Sequence, residues 1–164
     1  MKEECVKYQP KMIDQVISNN SRLCLCLWET SIFAALTPPF TLSGIDAVIK
    51  FDDVRVNRGG AYDPSTGVFT ATVQGLYHFS CMILANHGAV VHYQLNKNEQ
   101  PYILGYSHKG AAADSSTISA VIELTVGDRV FVKHRHTAAS EVVFGAALTS
   151  FLDILYMSKP VVTS

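Results

Sequence analysis

Charge is scarce in this 164-residue chain: Asp, Glu, Lys and Arg make up 16% of it, and the formal net charge is −1. Such balance gives no global attraction to nucleic acid or to a membrane surface. No apolar run approaches the ~20 residues that span a bilayer as a helix. Cysteine is also sparse, with only Cys5, Cys24, Cys26 and Cys81, so a disulfide-dense module is excluded. Cys24 and Cys26 would share one strand face, a poor arrangement for bonding each other, and unpaired thiols are expected; a structural disulfide or a Cys5 bridge between subunits is the alternative. Residues 1–31 hold no glycine and one proline, which excludes a collagen repeat there, and no sustained heptad marks a coiled coil. No GxSxG, HExxH, P-loop or GxGxxG motif occurs, and no Cys/His pair has zinc-finger spacing.

What the chain has is apolar content, 48%, enough at this length for one domain with a good core. Its organising stretch is 51–79, where the aromatics Phe51, Tyr62, Phe69, Tyr77 and Phe79 alternate with turn clusters. The turns are Asn57-Arg58-Gly59-Gly60, Asp63-Pro64-Ser65-Thr66-Gly67 and Gln74-Gly75. Glycine reaches positive φ and proline presets a turn, so these clusters read as sharp reversals between short strands. Strands are expected at 33–36, 48–51, 75–85, 90–96, 101–106, 117–125, 129–136 and 150–157. In 75–85, Tyr77, Phe79, Cys81 and Ile83 share one face; Leu76, His78, Ser80, Met82 and Leu84 share the other. The second face mixes polar and apolar groups, which suits a subunit contact or a partly wet layer. The expected fold is all-β, an antiparallel two-sheet jelly roll.

The spacing of Phe51, Asn57, Tyr62, Phe69, Gly75, Tyr77 and Phe79 resembles the C1q globular domain, position by position. Gly60-Ala61-Tyr62-Asp63-Pro64-Ser65-Thr66-Gly67-Val68-Phe69 is close to the family's commonest wording. Tyr93 to Asn98, Asp114 to Ser119 and Gly127 to Val132 are similar to later family segments. The chain departs at Cys81, where an aromatic is usual, and at Phe151-Leu152-Asp153-Ile154, where the family closes on Phe-Ser-Gly-Phe. The resemblance covers about 32–157, leaving 1–31 as an N-terminal extension with a short helix around 12–17, and 158–164 as a tail. It implies a C1q/tumour necrosis factor-like jelly roll assembled as a homotrimer and acting without catalysis. It further implies a secreted, soluble pattern-recognition protein of innate immunity, similar to stalkless mollusc proteins that bind microbial glycans or lipopolysaccharide. A cytokine-like or structural trimer that binds protein partners is the alternative. Met1-Lys2-Glu3-Glu4-Cys5 is polar rather than a secretory leader, so export is expected from the resemblance, with a cytoplasmic location as the other reading. Asn19-Asn20-Ser21 is a glycosylation sequon that matters only on export. Asp114 matches one acidic position of calcium sites in such trimers, while Ser107 and His108 stand at the earlier ones. The resemblance therefore admits calcium at Asp114, against a turn-capping role for this residue.

Two other constellations bear on function. Over 129–136, Arg129, Phe131, Lys133 and Arg135 share one strand face and Val130, Val132, His134 and His136 the other. With the valines inward, the first face becomes a basic strip with one aromatic, fitted to anionic sugars, lipopolysaccharide phosphates or acidic protein patches. Arg55 and Arg58 are candidates to extend it. Second, a cupin-type metal-dependent enzyme is the remaining alternative function, since His134-Arg135-His136 followed by Glu141 resembles the first metal motif of cupins, which are also jelly rolls. Its leading glycine is misplaced, Leu148 stands for the following one, and the second cupin motif is absent. The alternatives for His134 and His136 are an exposed pair near a strand end or a weak metal-affine surface site. The scattered His78, His87, His92 and His108 are expected at surfaces or interfaces, where protonation makes assembly pH-sensitive.

Overall fold

The computed structural model describes residues 30–44, 47–86, 88–108, 112–135, 140–145 and 150–158. The expected helix near 12–17, Cys5, Cys24, Cys26, the sequon, His87 and His136 lie outside them. Among the described residues every regular element is a strand: β1 (Ser31–Ala35), β2 (Phe40–Leu42), β3 (Asp53–Arg58), β4 (Tyr62–Asp63), β5 (Val68–Thr70), β6 (Gly75–Ala85), β7 (Val91–Lys97), β8 (Gln100–Ser107), β9 (Asp114–Leu124), β10 (Arg129–His134), β11 (Glu141–Val143) and β12 (Phe151–Ser158). They form two antiparallel sheets. The larger runs β2-β11-β6-β12-β1-β3, with β9 also paired to β6; the smaller runs β4-β5-β10-β7-β8.

The motif residues explain themselves in this frame. Asn57 Nδ2 donates to the Tyr62 carbonyl at 2.8 Å, and Asn57 Oδ1 accepts the Tyr62 N–H at 3.3 Å. The buried Tyr62 hydroxyl accepts the Phe51 N–H at 3.0 Å and donates to the Phe51 carbonyl at 3.2 Å. Burial pushes the Tyr62 phenol up, against the lowering effect of the Phe51 hydrogen bond. Spacings of six and five residues thus close a loop around one phenol. Gly67 has φ +75°, and a Cβ there would stand 2.6 Å from the Ile49 carbonyl oxygen. At Gly75 a Cβ would stand 2.4 Å from the Tyr156 ring, so the closing strand requires glycine.

Between the sheets lies an aromatic cluster. Phe69 packs edge-on to Tyr77 and to Phe79, with ring centroids 5.5 Å apart in each pair, and Tyr77 meets Tyr156 at 5.2 Å. Tyr77, Phe79, Cys81 and Ile83 of β6 are each 1% exposed or less, while the alternate residues are half-buried. Leu152 and Ile154 point into the same core, so the departure at 151–154 supplies a core leucine and sends Asp153 to the opposite face. The expected strand at 48–51 is instead an isolated bridge, Val48 with Lys133. Ile49 N–H still donates to the Val132 carbonyl at 2.8 Å, so the segment rides on β10 without extending along it.

Candidate ligand-binding face

β10 is the middle strand of the smaller sheet, between β5 and β7. Val130, Val132 and His134 face the core at 1%, 0% and 0% exposure, which sends Arg129, Phe131, Lys133 and Arg135 to the outer face. Arg129 and Arg135 are exposed and Lys133 is half-buried. Phe131 departs from expectation: it is buried at 5%, because it is flanked across the sheet by Val68 and Asn96 and the Arg129 guanidinium sits 5.8 Å from its ring centroid. Phe131 therefore supports the strip without offering a ring to a ligand. Arg55 and Arg58 do not extend the strip; they lie on β3 in the other sheet, and Arg55 pairs with Asp53 at 3.0 Å.

Arg129 borders an open groove with Gly60, Ala61, Asp63, Thr66, Val68, Thr70 and Thr72. Its backbone is set by Asn98, whose Oδ1 accepts the Arg129 N–H at 2.9 Å and whose Nδ2 donates to Asp128 at 3.0 Å. Asn98 takes the left-handed φ of +53°. The Asn98 hydrogen bond, with the Thr125 N–H and Lys97, holds the Asp128 carboxyl well below the usual range. Lys97 and Asn98 thus brace a corner of the domain.

The exposed aromatic of the outer face comes from β8. Tyr106 is 48% exposed, packs at a tilt against His92 with a centroid distance of 5.0 Å, and lies 6.2 Å from the His108 ring. The pattern Tyr102, Leu104, Tyr106 was visible as period-two alternation, but β8 gave no chemical motif to single it out.

His134 is corrected from an exposed histidine to one with no exposure at all. Its Nδ1 is 2.8 Å from the Gly44 carbonyl oxygen; a carbonyl only accepts, so Nδ1 carries the proton there. Its Nε2 is 3.1 Å from Glu141 Oε2, at ion-pair distance but off a hydrogen-bonding direction. Glu141 also receives the His92 N–H at 2.5 Å, and its Oε1 is 2.6 Å from His92 Nδ1. Burial works to raise the Glu141 carboxyl, but the hydrogen bonds from His92 and the charges of His92 and His134 outweigh it and lower it. Sequence reasoning placed His134 and Glu141 in one motif but missed His92, which only the pairing of β7 with β10 brings in. Among the described residues no group of three or more His, Cys, Asp or Glu is placed to hold a metal ion.

Asp114 opens β9 and accepts the His108 N–H at 2.9 Å, the geometry of a loop cap. Ser107, expected beside it, is fully buried with its hydroxyl turned to the Val91 N–H at 2.9 Å.

Two packed antiparallel sheets with this strand order define a jelly-roll β-sandwich. The family model for the C1q domain matches residues 32–151. The chain belongs to the C1q domain family. It is 34% identical over 90 residues to "Collagen alpha-1(X) chain" of Mus musculus, covering 54% of this chain and 13% of that one. It is 32% identical over 107 residues to "Heavy metal-binding protein HIP" of Mytilus edulis, covering 62% of this chain and 48% of that one. The chain thus spans less than half the length of these relatives. Among solved structures, the globular domain of zebrafish complement 1qA superposes with TM-score 0.66 at 13% identity, over 80% of this chain and 99% of that one. Eiger TNF from S. frugiperda gives 0.65 at 14% identity, over 82% and 96%. At these identities the structures share the fold.

Proposed function

We propose that this protein is a secreted, non-enzymatic recognition module of innate immunity that binds microbial or anionic glycans on the outer face of its smaller sheet. The observation that carries the reading is the split of β10: its core side is fully buried while Arg129 and Lys133 share the opposite face, with the exposed Arg135 directly after the strand. Guanidinium groups pair bidentately with carboxylates and phosphates, and the Arg129 groove adds the hydroxyls of Thr66, Thr70 and Thr72. The working unit in this reading is a homotrimer. Among the described residues one face of the larger sheet exposes apolar side chains, with Val121 at 47%, Leu155 at 37% and Met157 at 48% exposure, and a second copy covers such a surface. The test is a glycan and lipopolysaccharide array, run with and without calcium, on wild type and on the joint alanine variant of Arg129, Lys133 and Arg135. The reading expects binding that weakens with salt and drops at least tenfold in the variant. Unchanged binding in the variant overturns the basic-face site; calcium dependence that disappears in Asp114→Ala supports a calcium site at Asp114.

A second reading, a cytokine-like trimer for protein ligands, draws on the same exposed apolar residues. Tight protein capture with no glycan bound on the array selects it.

A further inference from the structure

We infer that the row Arg135–His92–Tyr106, formed by the residue just past β10 and by β7 and β8 of the smaller sheet, is a subsite for a sugar ring that carries a carboxylate. The inference rests on the glycan-binding reading above and assigns its specificity to residues outside the Arg129 groove. The Arg135 N–H donates to the His92 carbonyl at 3.1 Å, and His92 pairs directly with Tyr106. Their inward neighbours His134, Tyr93 and Gly105 face the core, where a Cβ on Gly105 would stand 2.3 Å from the Tyr93 ring. The row therefore lies on the outer face. Neighbouring strands are ~4.8 Å apart, so the ends of the row are about 10 Å apart. One pyranose on the tyrosine, with its carboxylate turned toward the arginine, fits that span.

Each member is prepared for one task. Tyr106 is half exposed yet held in place, by the His92 ring at 5.0 Å and at its hydroxyl, which is 3.3 Å from His108 Nδ1. A tyrosine fixed in this way offers the negative face of its ring to sugar C–H bonds at little entropic cost. His92 is oriented by Glu141, whose ionised carboxylate only accepts, so Nδ1 donates to it. Its ring, on a side chain that is 25% exposed, packs against Tyr106 at a centroid distance of 5.0 Å and holds that ring in place. Arg135 is exposed at the end of the row and supplies the planar fork that matches a carboxylate. In the next row Lys133 and Leu104 flank Gln94, continuing the same mixture of cation and apolar surface.

The experiment is calorimetric titration of the full chain with oligogalacturonate and with its methyl ester, alongside the array already described. Wild type is expected to bind the acid and to lose at least tenfold in affinity for the ester. Tyr106→Ala and Arg135→Ala each lose at least tenfold toward the acid, while Tyr106→Phe keeps it, because the ring face and not the hydroxyl makes the contact. Far-ultraviolet dichroism and sedimentation of the variants are expected to match wild type. Equal affinity for acid and ester, unchanged binding in Tyr106→Ala, or a change of oligomeric state in Tyr106→Ala overturns the subsite. If wild type binds array glycans but not the uronate, the subsite fails and the general reading stands; if it binds no glycan at all, both fail.

Discussion

Glu141 receives the His92 backbone N–H on one carboxylate oxygen at 2.5 Å and lies 2.6 Å from the His92 ring through the other. The partners are in different sheets, β11 in the larger and β7 in the smaller, so one side chain clasps the two layers near the end of the sandwich.

Removing the clasp is expected to be costly. Glu141→Ala leaves two imidazoles and a backbone N–H without their carboxylate, and a loss of about 3–5 kcal/mol is the range for breaking one side of a buried pair. Glu141→Gln keeps the size and one acceptor, and is expected to lose less, about 1–2 kcal/mol. Urea unfolding at pH 7 measures both. A ranking in which the glutamine variant is the weaker one contradicts the clasp.

The clasp also has a pH signature. The Glu141 carboxyl is lowered in the folded chain, so its contribution is fully present above the unfolded value of ~4.3 and lost as pH falls through the folded value. Between pH 7 and pH 3 wild type is expected to lose more stability than Glu141→Gln. Parallel curves count against it.

Asp153 carries the opposite sign. Partial burial on the outer face of the larger sheet raises its carboxyl, against the opposing charge of His78 and a backbone hydrogen bond. A raised acid costs stability once it ionises, so the penalty is absent below its unfolded pKa and grows as pH rises through the folded one. Asp153→Asn is expected to unfold at higher urea at pH 7 by less than about 1 kcal/mol. Sedimentation of the same variant across pH 4–8 shows whether association follows the charge.

Gly105→Ala places a Cβ 2.3 Å from the Tyr93 ring. The ring must move and loses the hydrogen bond from its hydroxyl to the Ser116 carbonyl, 2.8 Å long. Overpacking of this kind costs about 1–3 kcal/mol, visible as a lower thermal midpoint. An unchanged midpoint denies the contact.

Cys81 is buried at 1%, and burial pushes its thiol up. Only the thiolate reacts readily, so a thiol reagent should label Cys81 in urea and leave it unlabelled in the native domain. Native labelling would show that β6 opens.

The sheet framework was legible because one strand pattern alternates cleanly: in β6 the core and open faces fell where the period of two put them. The glycines and aromatics of 51–79 were legible as well, since each answers a close approach, as Gly67 does with Ile49 and Gly75 with Tyr156. Site detail was harder to read. Alternation placed Phe131 beside Arg129 and Lys133 but could not show that Val68 and Asn96 close over it. His134 looked exposed because strand-end histidines usually are; its burial depends on Gly44, 90 residues away, and on Glu141. His92 carried no local signal at all, since its role arises from Glu141 on β11, Tyr106 on β8 and Arg135 just past β10.

Two tyrosine hydroxyls reach from the smaller sheet to β9: Tyr93 to the Ser116 carbonyl at 2.8 Å and Tyr102 to the Val121 carbonyl at 3.2 Å. They act as stitches along a single seam, so that flank of the sandwich opens only when both are broken together. Thermal breathing is then directed to the other margin, where the three-residue strands β2 and β11 run side by side, and amide protons there should exchange with deuterium before those of β9.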